Sequence, residues 1–157
     1  MSAHLIFQAP IGSLIAWSDD TSRPQERHRR KLSQWQTSNS RGRLIRKQGD
    51  RAVGSISLPA SFTLHEADYR SGGVIAIRVH RTFSADSRLR FTVLERPAIG
   101  AVQVLDRPGD DAELAHLAAN WEAAEAWLES HSFPNAVLRE ITADEVAADA
   151  IEGRTVA

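Results

Sequence analysis

Ile75-Ala76-Ile77-Arg78-Val79-His80 and Leu89-Arg90-Phe91-Thr92-Val93 decide the fold class of this chain. In both stretches apolar side chains alternate with polar or small ones. A period of two is the signature of a β-strand with one face on a core and the other in water. The pattern predicts a hairpin in which Val79 pairs with Phe91 and Ile77 with Val93, so that the apolar faces coincide. A three-residue turn from Ser84 to Asp86 supplies that register, because Asp tolerates a left-handed backbone. His80 then lies opposite Arg90 on an outer face that also carries Arg78 and Arg88. The plain reading of that face is the wet side of an antiparallel sheet.

The same reading extends toward the N-terminus. Ile56, Leu58, Phe62 and Leu64 keep a period of two, with Pro59 marking an edge or a bulge, and Gly72-Gly73 reads as a turn. His4 to Gln8 and Leu14 to Trp17 read as two short strands around Pro10 and Gly12. A helix is predicted from near Pro24 to about Gln36, with Asp20, Thr21 and Ser22 as caps and a narrow stripe of His28, Leu32 and Trp35. Ser38 to Gly42 reads as a polar loop and Arg43 to Lys47 as a strand.

Toward the C-terminus, Ala101 to Leu105 reads as a strand ended by the turn Arg107-Pro108-Gly109-Asp110. The longest predicted helix runs from Asp111 to about Ser130. Asp110 is its expected cap, Glu113 completes a capping box, and Leu114, Leu117, Trp121, Ala124 and Leu128 form its apolar stripe. Ala136 to Ile141 reads as a strand. Thr142 to Glu145 is a second capping box, opening a short Ala-rich helix that stops at Gly153. Together these elements predict an α+β fold. An antiparallel sheet of about five to six strands carries one long helix from the C-terminal half, with a basic N-terminal helix and a short terminal helix. A chain of 157 residues is the size of one domain. Residues 1–157 are read as such, with 23–51 a basic helix-loop arm and 110–157 an acidic helical region.

Charge is sorted along the chain. Between Arg23 and Arg51 ten Lys or Arg face only Glu26 and Asp50. From Gln103 onward twelve acids face Arg107, Arg139 and Arg154, so a net charge of −1 hides two opposed halves. Such asymmetry points to an interaction surface. The expected surface is the arm: Arg23, Arg27, Arg29, Arg30, Lys31, Arg41, Arg43, Arg46 and Lys47 to hold phosphates of DNA or RNA, and Trp35 to stack or anchor. The alternative is a protein partner or a homo-oligomer in which basic arm meets acidic helix. Basic residues are nearly all Arg, whose forks suit phosphate and carboxylate; a GC-rich coding sequence explains the same bias.

Other classes find less support. There is no cysteine, which excludes disulfides and thiolate metal sites. Met1 to Trp17 has no positive n-region and is broken by Gln8, Ala9, Pro10 and Gly12, so it does not read as a signal peptide. No run of about 18 apolar residues occurs. The expectation is a cytoplasmic protein with no membrane partner. His65, Glu66 and Asp68 superficially resemble metal ligands, but no H-x-x-x-H or H-E-x-x-H spacing occurs. There is no G-x-S-x-G and no P-loop. No metal, cofactor or catalytic residue is expected. A deep pocket joining His65 or His80 to carboxylates from another element would raise the case for an enzyme.

Overall fold

The computed structural model describes residues 2–72 and 74–145. It is α+β, built on a five-stranded antiparallel sheet with two smaller sheets beside it. In chain order the elements are β1 (Leu14–Ser18), α1 (Arg29–Ser38), β2 (Ser40–Gln48), β3 (Arg51–Val53), β4 (Ile56–Leu58), β5 (Ser61–Ser71), β6 (Val74–Ser84), β7 (Arg90–Glu95), β8 (Val102–Leu105), β9 (Leu114–Ala118), α2 (Trp121–Glu129) and β10 (Val137–Glu140). The large sheet has the order β6-β5-β2-β1-β7, a smaller one β10-β8-β9, and β3-β4 is a hairpin.

Alternation reaches the sheet as expected in β1, where Ile15 and Trp17 are buried and their neighbours are not. It does the same in β5 through Phe62 and Leu64. With Leu44 and Phe91 these residues fill the main core on one face of the large sheet. Phe83 of edge strand β6 meets Phe91 of the opposite edge strand β7 at a ring distance of 5.2 Å, and Phe62 lies 5.1 Å from Phe91. The sheet therefore curls until rings from its two edges touch. Fully burying such a ring stabilises by roughly 1.5–3 kcal/mol.

That curl corrects the expected hairpin. β6 pairs with β5, placing His65 opposite His80 and Asp68 opposite Arg78. β7 pairs with β1, placing Phe91 opposite Trp17 and Arg90 opposite Ser18. Val79 and Phe91 are not ladder partners. Phe83 of β6 does meet Phe91 of β7, through ring packing across a curled sheet. Residues 85 and 86 do form a turn, with the Ser84 hydroxyl donating to the Asp86 carboxylate, but Asp86 does not take the left-handed backbone expected of it.

The long helix is the larger correction. Residues 111–120 contain no helix, and Leu114–Ala118 is strand β9, paired along β8 with Leu117 opposite Gln103 and Ala118 opposite Val102. The helix begins only at Trp121 and is capped by Asn120, whose side chain accepts from the Ala123 amide at 2.8 Å. Asp110 caps nothing there. Leu114 and Leu117 have the right spacing for a helical stripe, yet they serve a strand over Ile45, Leu105 and Ala112. Pairing with the buried strand β8 satisfies a whole row of backbone groups, and that outweighs local propensity.

The N-terminal helix is shorter than expected. It starts at Arg29, after His28, which makes no side-chain capping bond. The expected caps are used elsewhere. Asp19 accepts from both the amide and the hydroxyl of Thr21, and Asp20 pairs with Arg90 at 2.9 Å. Residues 3–8 form a 3-10 helix instead of a strand, with Leu5 and Ile6 buried beneath the main core. The loop expected at 38–42 already belongs to β2 from Ser40. The acidic region is thus β9, α2 and β10 rather than helical throughout. Glu145 donates its amide to the Thr142 hydroxyl at 3.3 Å, as a capping box requires. The helix expected onward to Gly153 lies outside the described residues.

Candidate functional site

The basic arm divides into two parts with different surroundings. Arg41, Arg43, Arg46 and Lys47 lie on β2, inside the large sheet. Arg43 donates to the Gly12 carbonyl. Arg46 donates to the Asp111 carbonyl at 2.8 Å and faces the Asp111 carboxylate at 3.8 Å. Lys47 donates to the Phe7 carbonyl at 2.8 Å. These three tie the sheet to segments far away in sequence. Arg41 remains exposed beside Trp17 and Trp35.

The other part is an excursion between β1 and β2. Arg27, Arg29, Arg30 and Lys31 are exposed and make no ion pair or hydrogen bond among the described residues. Arg23 faces Glu26 at 3.9 Å, both exposed. No residue of α1 is buried, and its first turn holds no acid. The excursion is held at its base. Trp17 donates its indole N–H to the Thr37 carbonyl at 3.1 Å. Trp35, half-buried, donates to the Thr21 carbonyl at 3.0 Å. Trp35 thereby ties the excursion back on itself.

On the outer face of the large sheet a second arrangement appears. The register sets Arg43 of β2 opposite His65 of β5, and His65 opposite His80 of β6. Three neighbouring strands thus carry a basic or potentially basic group in one lateral row. The His65 and His80 rings meet edge to face at 5.6 Å. A bulge after His65 brings Asp68 round to the same side, and His65 Nε2 lies 2.6 Å from Asp68 Oδ1. Arg78 Nε lies 4.0 Å from the same oxygen. Leu114, His116 and Leu117 of β9, Glu113 just before it and Glu95 of β7 line the space beside this row. The result is a cleft of about 380 Å³. Burial, and then the neighbouring His131, hold the His116 imidazole below its ordinary value. His116 stacks on Trp127 at 4.9 Å, and Trp127 stacks on His131 at 3.8 Å.

Residues 1–145 match the model of the family described as uncharacterised conserved protein UCP036055. The chain belongs to that family. No curated protein and no solved structure matches this UCP036055 member.

Of the expected outer-face cluster, the fold keeps Arg78 and His80 together in the cleft. Arg90 lies on β7, the other edge strand, paired with Asp20, and Arg88 lies in the connection between β6 and β7. Among the described residues no group of three His, Asp or Glu side chains is arranged to hold a metal ion. The cleft does join His65 and His80 to Glu113 of another element, an arrangement expected to raise the case for an enzyme. In the sequence its only local trace is the spacing of His65 and Asp68, which looks like chance until the bulge turns both to one face.

Proposed function

We propose that this UCP036055 member is a small binding protein that contacts a polyanion, DNA or RNA, through α1 and the residues just before it. The observation that carries the reading is a helix that buries nothing and bears cations that no carboxylate of the described chain neutralises. A segment of 21 residues between β1 and β2 adds no side chain to the cores except through its base. Selection for stability does not account for such a segment. Arg29, Arg30 and Lys31 also sit in the first helical turn, where the macrodipole disfavours positive charge by about 0.3–1 kcal/mol each. A phosphate brought there reverses that penalty and releases counterions. The working set is Arg27, Arg29, Arg30 and Lys31, flanked by Arg23 and Arg41. Arg43, Arg46 and Lys47 leave it, because they lie within β2 of the large sheet and not on the excursion.

The test is fluorescence anisotropy with duplex and single-stranded oligonucleotides over a range of salt. With about five phosphates neutralised, log affinity falls against log salt with a slope near about −4. Replacing Arg27, Arg29, Arg30 and Lys31 by Gln flattens the slope. Silence at low salt ends the proposal.

A second reading rests on α2, where Glu122, Glu125 and Glu129 are exposed. In it the cations of α1 meet this acidic helix in another copy of the chain. Light scattering then gives an oligomer that salt dissolves, and a monomer at every salt concentration removes it.

A further inference from the structure

We propose that the cleft between the outer face of the large sheet and β9 binds a small molecule bearing an oxyanion, of phosphate or carboxylate chemistry. Arg43, Arg78, His65 and His80 grip it.

The lateral row is the first argument. Directly paired positions on one face of a sheet have Cβ atoms about 4.5–5.5 Å apart, and like charges there destabilise the pair. Arg43, His65 and His80 occupy one row across three strands. A sheet built for stability alone would place an acid or an apolar group in the middle of that row. Breaches of a local rule concentrate where a fold serves a ligand. Asp68, at 2.6 Å from His65, offsets part of the repulsion, and an oxyanion seated over the row removes the rest.

The second argument is how His65 is prepared. A carboxylate only accepts, so the bond at 2.6 Å to Asp68 requires the hydrogen to sit on Nε2. Nδ1 is then the basic nitrogen. It accepts a proton from a bound acid or, once protonated, donates to a bound anion. Fixing the ring beforehand removes part of the entropic cost of binding.

The walls give the third argument. Ile45, Leu114 and Leu117 line the cleft beside the charged groups, and apolar walls strengthen the electrostatics within it. Glu95 and Glu113 face the row from β7 and from the approach to β9. They suit a ligand that carries a hydroxyl besides its oxyanion, as a protonated phosphate does. With Asp68 they also outnumber the fixed cations Arg43 and Arg78. Added positive charge in the cleft therefore favours an anion, and binding tightens at lower pH.

The experiment uses the full chain labelled with ¹⁵N and titrated separately with inorganic phosphate and with citrate, at about pH 6 and about pH 8. Amide shifts are expected in β5, β6 and β9, with tighter binding at the lower pH. His80→Ala and Arg78→Ala, both at exposed positions, each lower affinity by about tenfold. Glu113→Gln raises it. Which titrant binds assigns the ligand to the phosphate or the carboxylate class. A chain whose α1 cations are replaced by Gln still shows the cleft shifts, which separates this site from the polyanion surface. No shifts with either titrant, shifts confined to α1, or affinities unchanged by His80→Ala and Arg78→Ala would each overturn the proposal. So would a cleft that answers to Zn²⁺ and to neither anion.

Discussion

Asn39 bonds to Asp19 across twenty residues of chain, its Nδ2 lying 2.9 Å from Asp19 Oδ1. The same Nδ2 donates to the Trp35 carbonyl at 2.9 Å, while Oδ1 accepts from the Ser18 hydroxyl at 2.8 Å and the Asp19 amide at 3.2 Å. One amide thus closes the base of the α1 excursion with every donor and acceptor in use. Hydrogen bonds from the side chains of Thr21 and Asn39 hold the Asp19 carboxyl below its ordinary value. Asn39→Ala is expected to cost about 1–3 kcal/mol. Amide exchange should accelerate across residues 19–38 and stay slow in β5. Uniform acceleration throughout the sheet would show that the knot is not local to the excursion.

Gly42 is fixed by its neighbour across the ladder. A Cβ there would meet the His65 carbonyl oxygen at 2.9 Å and Leu64 Cβ at 3.0 Å. Both are held in the sheet, so the strand itself must shift. Gly42→Ala should destabilise by about 1–3 kcal/mol in urea unfolding. Because Gly42 precedes Arg43, the shift also disturbs the Arg43–His65 register. Phosphate affinity in the cleft should fall with stability. Unaltered unfolding would mean that the strands separate there without cost.

The start of α2 distinguishes the two readings of the acidic region. Asn120→Ala removes the cap seen at Ala123 and should cost about 1 kcal/mol. Asp110→Ala, the cap expected from sequence, should change stability by less than about 0.5 kcal/mol. Thermal melts of the two variants test this directly. The reverse ranking would favour a helix beginning near residue 111.

His116 gives a pH dependence with a definite sign. Burial keeps its folded pKa below the ordinary 6.5. Above about 6.5 both the folded and unfolded forms are neutral, and stability does not depend on this group. As pH falls below 6.5 the unfolded chain takes up the proton first, so stability declines until pH passes the lower folded value. His116→Gln should therefore flatten the loss of melting temperature between about pH 7.5 and about pH 5. Trp127, stacked between His116 and His131, should report the same window in its fluorescence. A melting profile as steep as wild type would remove His116 as a cause.

The core faces of several strands are marked locally. Alternation at Phe62 and Leu64, at Ile15 and Trp17, and at Leu89, Phe91 and Val93 assigns core faces, because side-chain direction in a strand depends only on parity. The turns at Ser84–Asp86 and Arg107–Asp110 and the capping box at Thr142 are chemistry of adjacent residues, so they can be read from adjacent residues. Parity does not say which strand lies next door, and the pairing of β6 with β5 and of β7 with β1 was therefore out of reach. Leu114 to Leu128 fits a helical period by coincidence at its first half.

The amino-acid order by itself determined an α+β chain with half-buried strands, a basic segment and an acid-rich remainder. Tertiary structure alone decided that Leu114–Ala118 is a strand, because only β8 beside it could satisfy that backbone in extended form. It also decided which cations of the basic segment are held by the fold. Arg43, Arg46 and Lys47 are taken by carbonyls of Gly12, Asp111 and Phe7, residues distant in sequence that only the folded sheets bring within reach. The cleft has the same origin: Arg43, His65, His80 and His116 come from four strands, and their meeting depends on register and curl, which no local pattern encodes.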